Sequence, residues 1–177
     1  MRTRVGFAGG STANPTYRTI GDHTETIDIE FDSSVTNYET ILKNFWAWHD
    51  PTSSHSRQYM SAIFYHNDEQ RKLAEKTKAE HQSEIARPIA TVISKAGPFY
   101  EAEDYHQKYI LRRHSKIIDC LNLTDEELIT SYTACRLNGY LGGYGTEESF
   151  NEEKDQLDIP NSVVGYIQQQ IRKGRRF

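Results

Sequence analysis

Residues Val5 to Tyr17 read V-G-F-A-G-G-S-T-A-N-P-T-Y, and after a short polar link Gly21 to Glu25 read G-D-H-T-E. A strand-like opening, Arg2 to Phe7 with Val5 and Phe7 on one face, runs straight into Gly9-Gly10. Consecutive glycines disfavour extension and permit positive φ, so the strand stops there. Asn14-Pro15 starts a turn with Tyr17 behind it, and the chain then delivers His23 and Glu25 to the mouth of a second strand. A lone carboxylate after a glycine-rich turn suits an acid.

That second strand spans Thr24 to Phe31, with Ile27, Ile29 and Phe31 at period two above an acidic outer face. Thr36 or Asn37 caps a helix over Tyr38 to His49, its buried face drawn by Ile41, Leu42, Phe45 and Trp48, and Asp50-Pro51 ends it. Gln58 to Tyr65 is β-prone, Asn67 caps a charged helix over Asp68 to Glu84 with Leu73 and Ala74 inward, and Pro88 introduces a short strand from Ile89 to Ile93. Gly97-Pro98 breaks the chain before a helix rich in Glu101, Glu103, Asp104 and Tyr105. Thr124 with Glu127 forms a capping box for one helix over Leu121 to Arg136. A glycine-rich stretch, Leu137 to Gly145, is expected as a flexible loop holding Tyr140 and Tyr144. Helices over Glu147 to Gln156 and Pro160 to Arg172 complete the chain. Strands and helices alternate, so the class is α/β or α+β, with residues 1–114 as the mixed domain and 115–177 as a helical C-terminal extension.

With 177 residues, 11% aromatic content and a net charge of −4, the chain suits one domain with an appendage and offers no electrostatic case for nucleic acid. The basic end, Arg172-Lys173-Gly174-Arg175-Arg176, reads as a solvated helix terminus. No apolar run is long enough to span a bilayer. Two cysteines, Cys120 and Cys135, make neither a disulfide framework nor a metal motif. His49-Asp50 with His55 and His66 matches no standard ligand spacing, so no metal is expected. The expected setting is a reducing compartment, the cytoplasm, or the mitochondrion if a leader precedes Met1.

Phe7, Tyr17, His23, Glu25, Tyr59 and Phe99-Tyr100 all fall at strand ends or in turns, where sites form. An aromatic pocket with one desolvated, protonated acid suits a neutral, methyl-bearing substrate whose oxygen accepts the proton; plain packing aromatics remain the alternative. Five stretches then carry a resemblance: V-G-F-A-G-G-S-T-A-N-P-T-Y, G-D-H-T-E, F-W-A-W-H-D-P-T, R-Q-Y-M-S-A-I-F-Y and A-G-P-F-Y-E-A-E-D-Y-H-Q-K-Y. In order and spacing they resemble the methionine-S-sulfoxide reductase A family, over Arg2 to about Tyr109.

The resemblance implies a two-layer sandwich of mixed sheet and helices with a ferredoxin-like core. It implies thiol-dependent reduction of the S epimer of methionine sulfoxide, free or in oxidised proteins, by a monomer with no bound cofactor that thioredoxin or another dithiol regenerates. It makes Glu25 the buried acid, Tyr59 a hydrogen-bond donor to the sulfoxide oxygen, and Phe7 a substrate-lining ring where Tyr is usual. His106 orients neighbouring groups. Ser53 to Arg57 departs from the common pattern and resembles an animal-type branch. The family's nucleophilic cysteine lies in G-C-F-W-G, which this sequence does not contain, nor the strand and helix around it. The chain is therefore read as N-terminally incomplete, with an inactive fragment or a sulfoxide-binding module as the second reading. Cys135 precedes the glycine-rich stretch as a candidate resolving cysteine, although both cysteines also suit helix-face packing.

Overall fold

The computed structural model describes residues 1–174. Arg175 and Arg176 of the basic end lie outside the described residues. The chain divides into two compact units. One, here the sheet unit, comprises Val5–Ile27 and Phe31–Ala102. The other, the helical unit, takes Met1–Arg4, Asp28–Glu30 and the chain from Glu103 onward, a division different from the expected cut after residue 114.

The strands are β1 (Arg2–Ala8), β2 (Thr24–Glu30), β3 (Ala62–Tyr65), β4 (Val92–Lys95) and β5 (Tyr100–Glu101). They form two sheets, one ordered β2-β1-β5 and one pairing β3 with β4 in parallel. β1 meets β5 antiparallel, with Gly6 opposite Glu101 and Phe7 opposite Tyr100. Three differences from expectation stand out. β3 begins only at Ala62, because Arg57–Tyr59 coils into a 3-10 turn. β4 begins at Val92, where the ladder from Ala62↔Val92 to Tyr65↔Lys95 sets its register. The expected helix after Gly97 is instead β5 and a 3-10 turn at Asp104–His106, since pairing with β1 claims Tyr100 and Glu101. β2 is an edge strand, and Ile27 upon it is exposed rather than half-buried.

In the sheet unit, α1 (Tyr38–Ala47) is capped by the Asn37 side chain, which accepts from the Thr40 amide at 2.9 Å. Asn67 caps α2 (Asp68–Glu84) in the same way. Leu42, Trp46, Ile63, Ala74 and Ile89 make the core, so the inward tryptophan is Trp46 while Trp48 is 65% exposed. Trp48 has left the helix as its C-cap, which turns it off the buried face. The Trp46 indole donates to Thr77 Oγ1 at 3.0 Å inside this core. Thr77→Val keeps the shape and strands that N–H. We expect a loss of about 1–2 kcal/mol in urea unfolding, and Thr77→Ser to retain most of it.

In the helical unit run α3 (Tyr109–Arg112), α4 (Ser115–Leu121), α5 (Asp125–Thr130), α6 (Tyr132–Leu141), α7 (Glu147–Glu153) and α8 (Asn161–Lys173). The single helix expected over Leu121 to Arg136 is thus three elements. Asn122 turns left-handed at φ 48° to close α4, and Ser131 at ψ 125° ends α5 while its side chain caps α6. The capping box at Thr124 is present, opening α5. The core gathers Leu111, Ile117, Leu128, Ala134, Leu137, Tyr140, Phe150, Leu157, Val163, Ile167 and Ile171. Val163, Ile167 and Ile171 recur every fourth residue, the stripe that seats α8. Leu137 to Leu141 belongs to α6, and Tyr140 is 3% exposed rather than in a flexible loop. Gly139 is simply tolerated inside the helix, and only after Gly142 does the backbone turn, at Gly143 and Gly145.

Lys108, the N-cap of α3, lies in the left-handed region at φ 50°. Its buried ammonium donates to the carbonyls of Thr3 and Ile129. No helix among the described residues is long and apolar enough to cross a membrane.

Candidate functional site

The opening stretch folds into a turn built around Asp22 and His23. Gly9 sits at φ +80°, and a Cβ there would meet the Phe64 ring at 2.6 Å. At Gly10 a Cβ would come within 2.7 Å of the Asp22 and His23 backbone, so the two segments touch only because Gly10 has no side chain. The Asp22 carboxylate accepts from the Ser11 and Thr12 amides at 2.8–3.0 Å and from both hydroxyls at 2.8 and 2.9 Å. Those bonds, led by the Thr12 amide, hold its carboxyl far below the ordinary carboxylate range. His23, 1% exposed, accepts the Gly10 N–H on Nδ1 at 3.1 Å and donates from Nε2 to the Thr12 carbonyl at 2.8 Å. That pairing fixes the neutral ring with its proton on Nε2.

Asp22 went unnoticed in the sequence, although an acid directly after a glycine and facing G-G-S-T across a turn is a recognisable acceptor for loop amides. Asp22→Asn removes the charge and half the acceptor capacity. Faster amide hydrogen exchange at Ser11 and Thr12 is the expected result. Because the folded carboxyl titrates below its unfolded value of 3.8, its stabilisation is complete above that pH and fades as the pH falls below it. The wild-type and Asp22→Asn exchange rates should therefore converge in strong acid.

Arg57 clamps this turn from the 3-10 segment, donating to the Gly9 carbonyl at 2.7 Å and the Asp22 carbonyl at 2.9 Å. Thr24 returns the contact, its hydroxyl donating to the Arg57 carbonyl at 2.9 Å. The clamp sets Gln58 and Tyr59 beside the start of β2. Gln58 Nε2 donates to Glu25 Oε1 at 2.9 Å. Tyr59 is hydrogen-bonded to Tyr17, and that bond, with burial and the charge of Glu25, raises its phenol above 10. Tyr59 therefore stays protonated, a donor, throughout the neutral range.

Tyr17, Glu25, Gln58 and Tyr59 thus form one surface cluster of an acid, an amide and two phenols. It differs from the expected pocket in two ways. Glu25 is exposed, not buried, because it is the second residue of an edge strand and faces away from the neighbouring Thr24. Phe7 is 2% exposed, so its ring packs inside, opposite Tyr100 on β5, and the His23 ring meets Tyr100 edge-on at 5.4 Å. Tyr59 is 53% exposed.

The cysteines lie elsewhere, in the helical unit. Cys135 on α6 is half-buried with Thr3 Oγ1 at 3.5 Å, and Cys120 on α4 is exposed, which removes it from helix-face packing. His106 Nε2 stands 4.0 Å from Glu103. Among the described residues no group of three or more His, Cys, Asp or Glu side chains is placed to hold a metal.

The mixed α/β fold carrying this cluster is similar to two solved structures of Mxr1 from Saccharomyces cerevisiae. For the reduced form the TM-score is 0.58 at 31% identity, over 63% of this chain and 71% of that one. For the unusual oxidised form it is 0.51 at 33% identity, over 62% and 66%. The family model for peptide methionine sulfoxide reductase matches residues 1–133. A second, for the helical domain of selenoprotein methionine sulfoxide reductase A, matches residues 122–172.

The chain belongs to the peptide methionine sulfoxide reductase family. A relative of that name from Drosophila melanogaster is 44% identical over 162 residues, covering 90% of this chain. Peptide methionine sulfoxide reductase A5 from Oryza sativa subsp. japonica is 38% identical over 168 residues, covering 89%. The chain spans 66% of the length of each of these two relatives. Both carry the name of a reductase and neither that of a binding module.

Proposed function

We propose that the protein carrying this chain reduces the S epimer of methionine sulfoxide in oxidised proteins or as the free amino acid. The observation that carries the reading is the 44% identity to the Drosophila reductase across 90% of the chain. The clustering of Glu25 with Gln58, Tyr59 and Tyr17 supports it, since a sulfoxide oxygen needs proton donors.

The chemistry balances with two thiols. They give up two electrons and two protons, the S–O bond breaks, the oxygen leaves as water, and the thiol sulfurs join in a disulfide. Glu25, exposed in this structure, is the acid that delivers a proton to the oxygen once the substrate covers and desolvates it, and Tyr59 hydrogen-bonds that oxygen. Phe7 contributes a ring without a hydroxyl. The attacking thiol is the role that the resemblance gives to the cysteine of G-C-F-W-G. Cys135 is the candidate for the resolving thiol, with thioredoxin or a small dithiol as the external reductant. No bound cofactor enters this scheme, and the protein works as a monomer in the cytoplasm.

The test takes the longest natural product that contains these residues, purified from its source. It is incubated with dithiothreitol and each epimer of N-acetylmethionine sulfoxide. Consumption of the S epimer alone supports the reading; equal consumption of both epimers, or of neither, overturns it.

A further inference from the structure

Within the helical unit a cavity of about 230 Å³ opens where the C-terminal ends of α3, α6 and α8 meet. Its wall combines Arg113, His114 and Lys173 with Gln170, the Tyr166 ring and the apolar side chains of Ile110 and Leu141. No Asp or Glu lines it. Elsewhere among the described residues of this unit arginines are matched: Arg112 with Asp125 at 2.7 Å, Arg136 with Glu153 at 2.7 Å and Arg172 with Glu147 at 2.6 Å. Arg113 and Lys173 have no such carboxylate among the described residues. Lys116 adds a third cation, its ammonium 5.8 Å from the Tyr166 ring centre.

From this arrangement we infer that the cavity is a binding site for a small organic anion, a carboxylate or phosphate head held by Arg113 and Lys173 with a short apolar body against Ile110, Leu141 and Tyr166. Helix ends account for some positive charge, because the last carbonyls of a helix attract cations. They do not account for a concave space with cations on its wall. The helix-end carbonyls already have donors: Asn138 and Tyr140 accept from Gly142 and Gly143, and Ile171 accepts from Gly174. An oxyanion seated there gains charge-assisted bonds that no group of the described chain supplies.

His114 reports on the occupant. Its Nδ1 lies 2.9 Å from the Tyr166 hydroxyl. Burial first, and then the charges of Arg113 and Lys173, lower the affinity of the ring for a proton. A bound anion offsets those charges, raises the ring's affinity for a proton, and so binds more tightly as the pH falls. The groups facing the ring are Arg113 beside it, Tyr166 and Lys173 from α8, and Lys116 by way of the Tyr166 ring.

The experiment titrates the isotope-labelled full chain at constant ionic strength with inorganic phosphate, with butyrate, and with butylammonium as the cationic control. The His114 imidazole is followed by NMR. A saturable shift with phosphate, butyrate or both, and none with butylammonium, is expected, and butyrate, whose charge is the same at both, should bind more tightly at pH 6 than at pH 8. Saturation by phosphate alone assigns a phosphate head, and by butyrate alone a carboxylate with its hydrocarbon tail. The double variant Arg113→Gln, Lys173→Gln should weaken binding by about tenfold or more while thermal unfolding stays unchanged, since both side chains are exposed. Arg113→Lys should keep most of the affinity. Absence of a saturable shift with either anion, or shifts of equal affinity in the double variant, overturns the inference.

Discussion

Replacing Glu153 by alanine should destabilise the helical unit by about 2–4 kcal/mol, read from the urea midpoint of its unfolding. Glu153 ends α7 with its side chain 13% exposed. Its two oxygens take every donor aimed at them: Arg136 Nε at 2.7 and 3.0 Å, Arg136 Nη2 at 2.8 Å, the Tyr132 hydroxyl at 2.6 Å and the Tyr140 hydroxyl at 2.7 Å. The alanine leaves a part-buried guanidinium and the buried Tyr140 hydroxyl without their acceptor, while Tyr132, 40% exposed, can turn to water. An unpaired donor costs more than the pair contributed, which is why this effect exceeds that of a typical surface ion pair. Glu153→Gln keeps the shape and removes the charge, so roughly half the loss is expected.

The same carboxyl sets a pH signature. Burial pushes it up, but Arg136 and the two phenols together more than offset this, and its folded pKa lies below 4.5. The stabilisation is therefore complete above 4.5 and declines as the pH falls through the folded value. The gap between wild type and Glu153→Ala should be constant from pH 8 to 5 and close below pH 4. A gap that persists undiminished at pH 2 would contradict the assignment of the charge.

Glu25→Gln should lower turnover of the S-sulfoxide by about 10²- to 10³-fold in the longest natural product containing this chain. Glutamine is nearly isosteric and can still hydrogen-bond Gln58, so the turn and Arg57 clamp should survive intact. What it lacks is a carboxyl able to pass a proton to the sulfoxide oxygen as the S–O bond breaks. The loss should fall in kcat more than in KM, because the proton is needed in the transition state. Tyr59→Phe removes a neutral donor and should cost roughly tenfold. A Glu25→Gln enzyme within threefold of wild type would exclude Glu25 as the acid.

Much of this architecture is written locally. Asn37, Asn67 and Thr124 announce their helices because a cap is a contact between near neighbours. The G-G and G-D-H-T-E signals locate the turn and the start of β2 for the same reason. What the sequence conceals is settled by distant partners. Trp46 rather than Trp48 faces inward because the helix has already ended at Trp48. Tyr140 reads as a loop residue among glycines until Glu153, on another helix, gives its hydroxyl a place. Arg57 was legible as part of a motif, but its two carbonyl acceptors at Gly9 and Asp22 are not deducible from spacing. The exposure of Glu25 likewise depends on β2 being an edge, a property of strand order that no stretch of β2 contains.

The lysine bridge at Lys108 has a consequence for how the chain is made. Its two carbonyl partners are Thr3 and Ile129, so the helical unit draws on residues far apart in the sequence. During synthesis Thr3 leaves the ribosome long before Lys108 exists, and it waits while the intervening segment, most of which belongs to the sheet unit, is made. The helical unit is thus the last to close, and closing it means shutting a loop that contains the other unit. A loop already folded costs less entropy to shut than a floppy one of equal length. A sheet unit that folds first would therefore ease the later step, and expression of the helices alone would deprive Lys108 of one of its anchors.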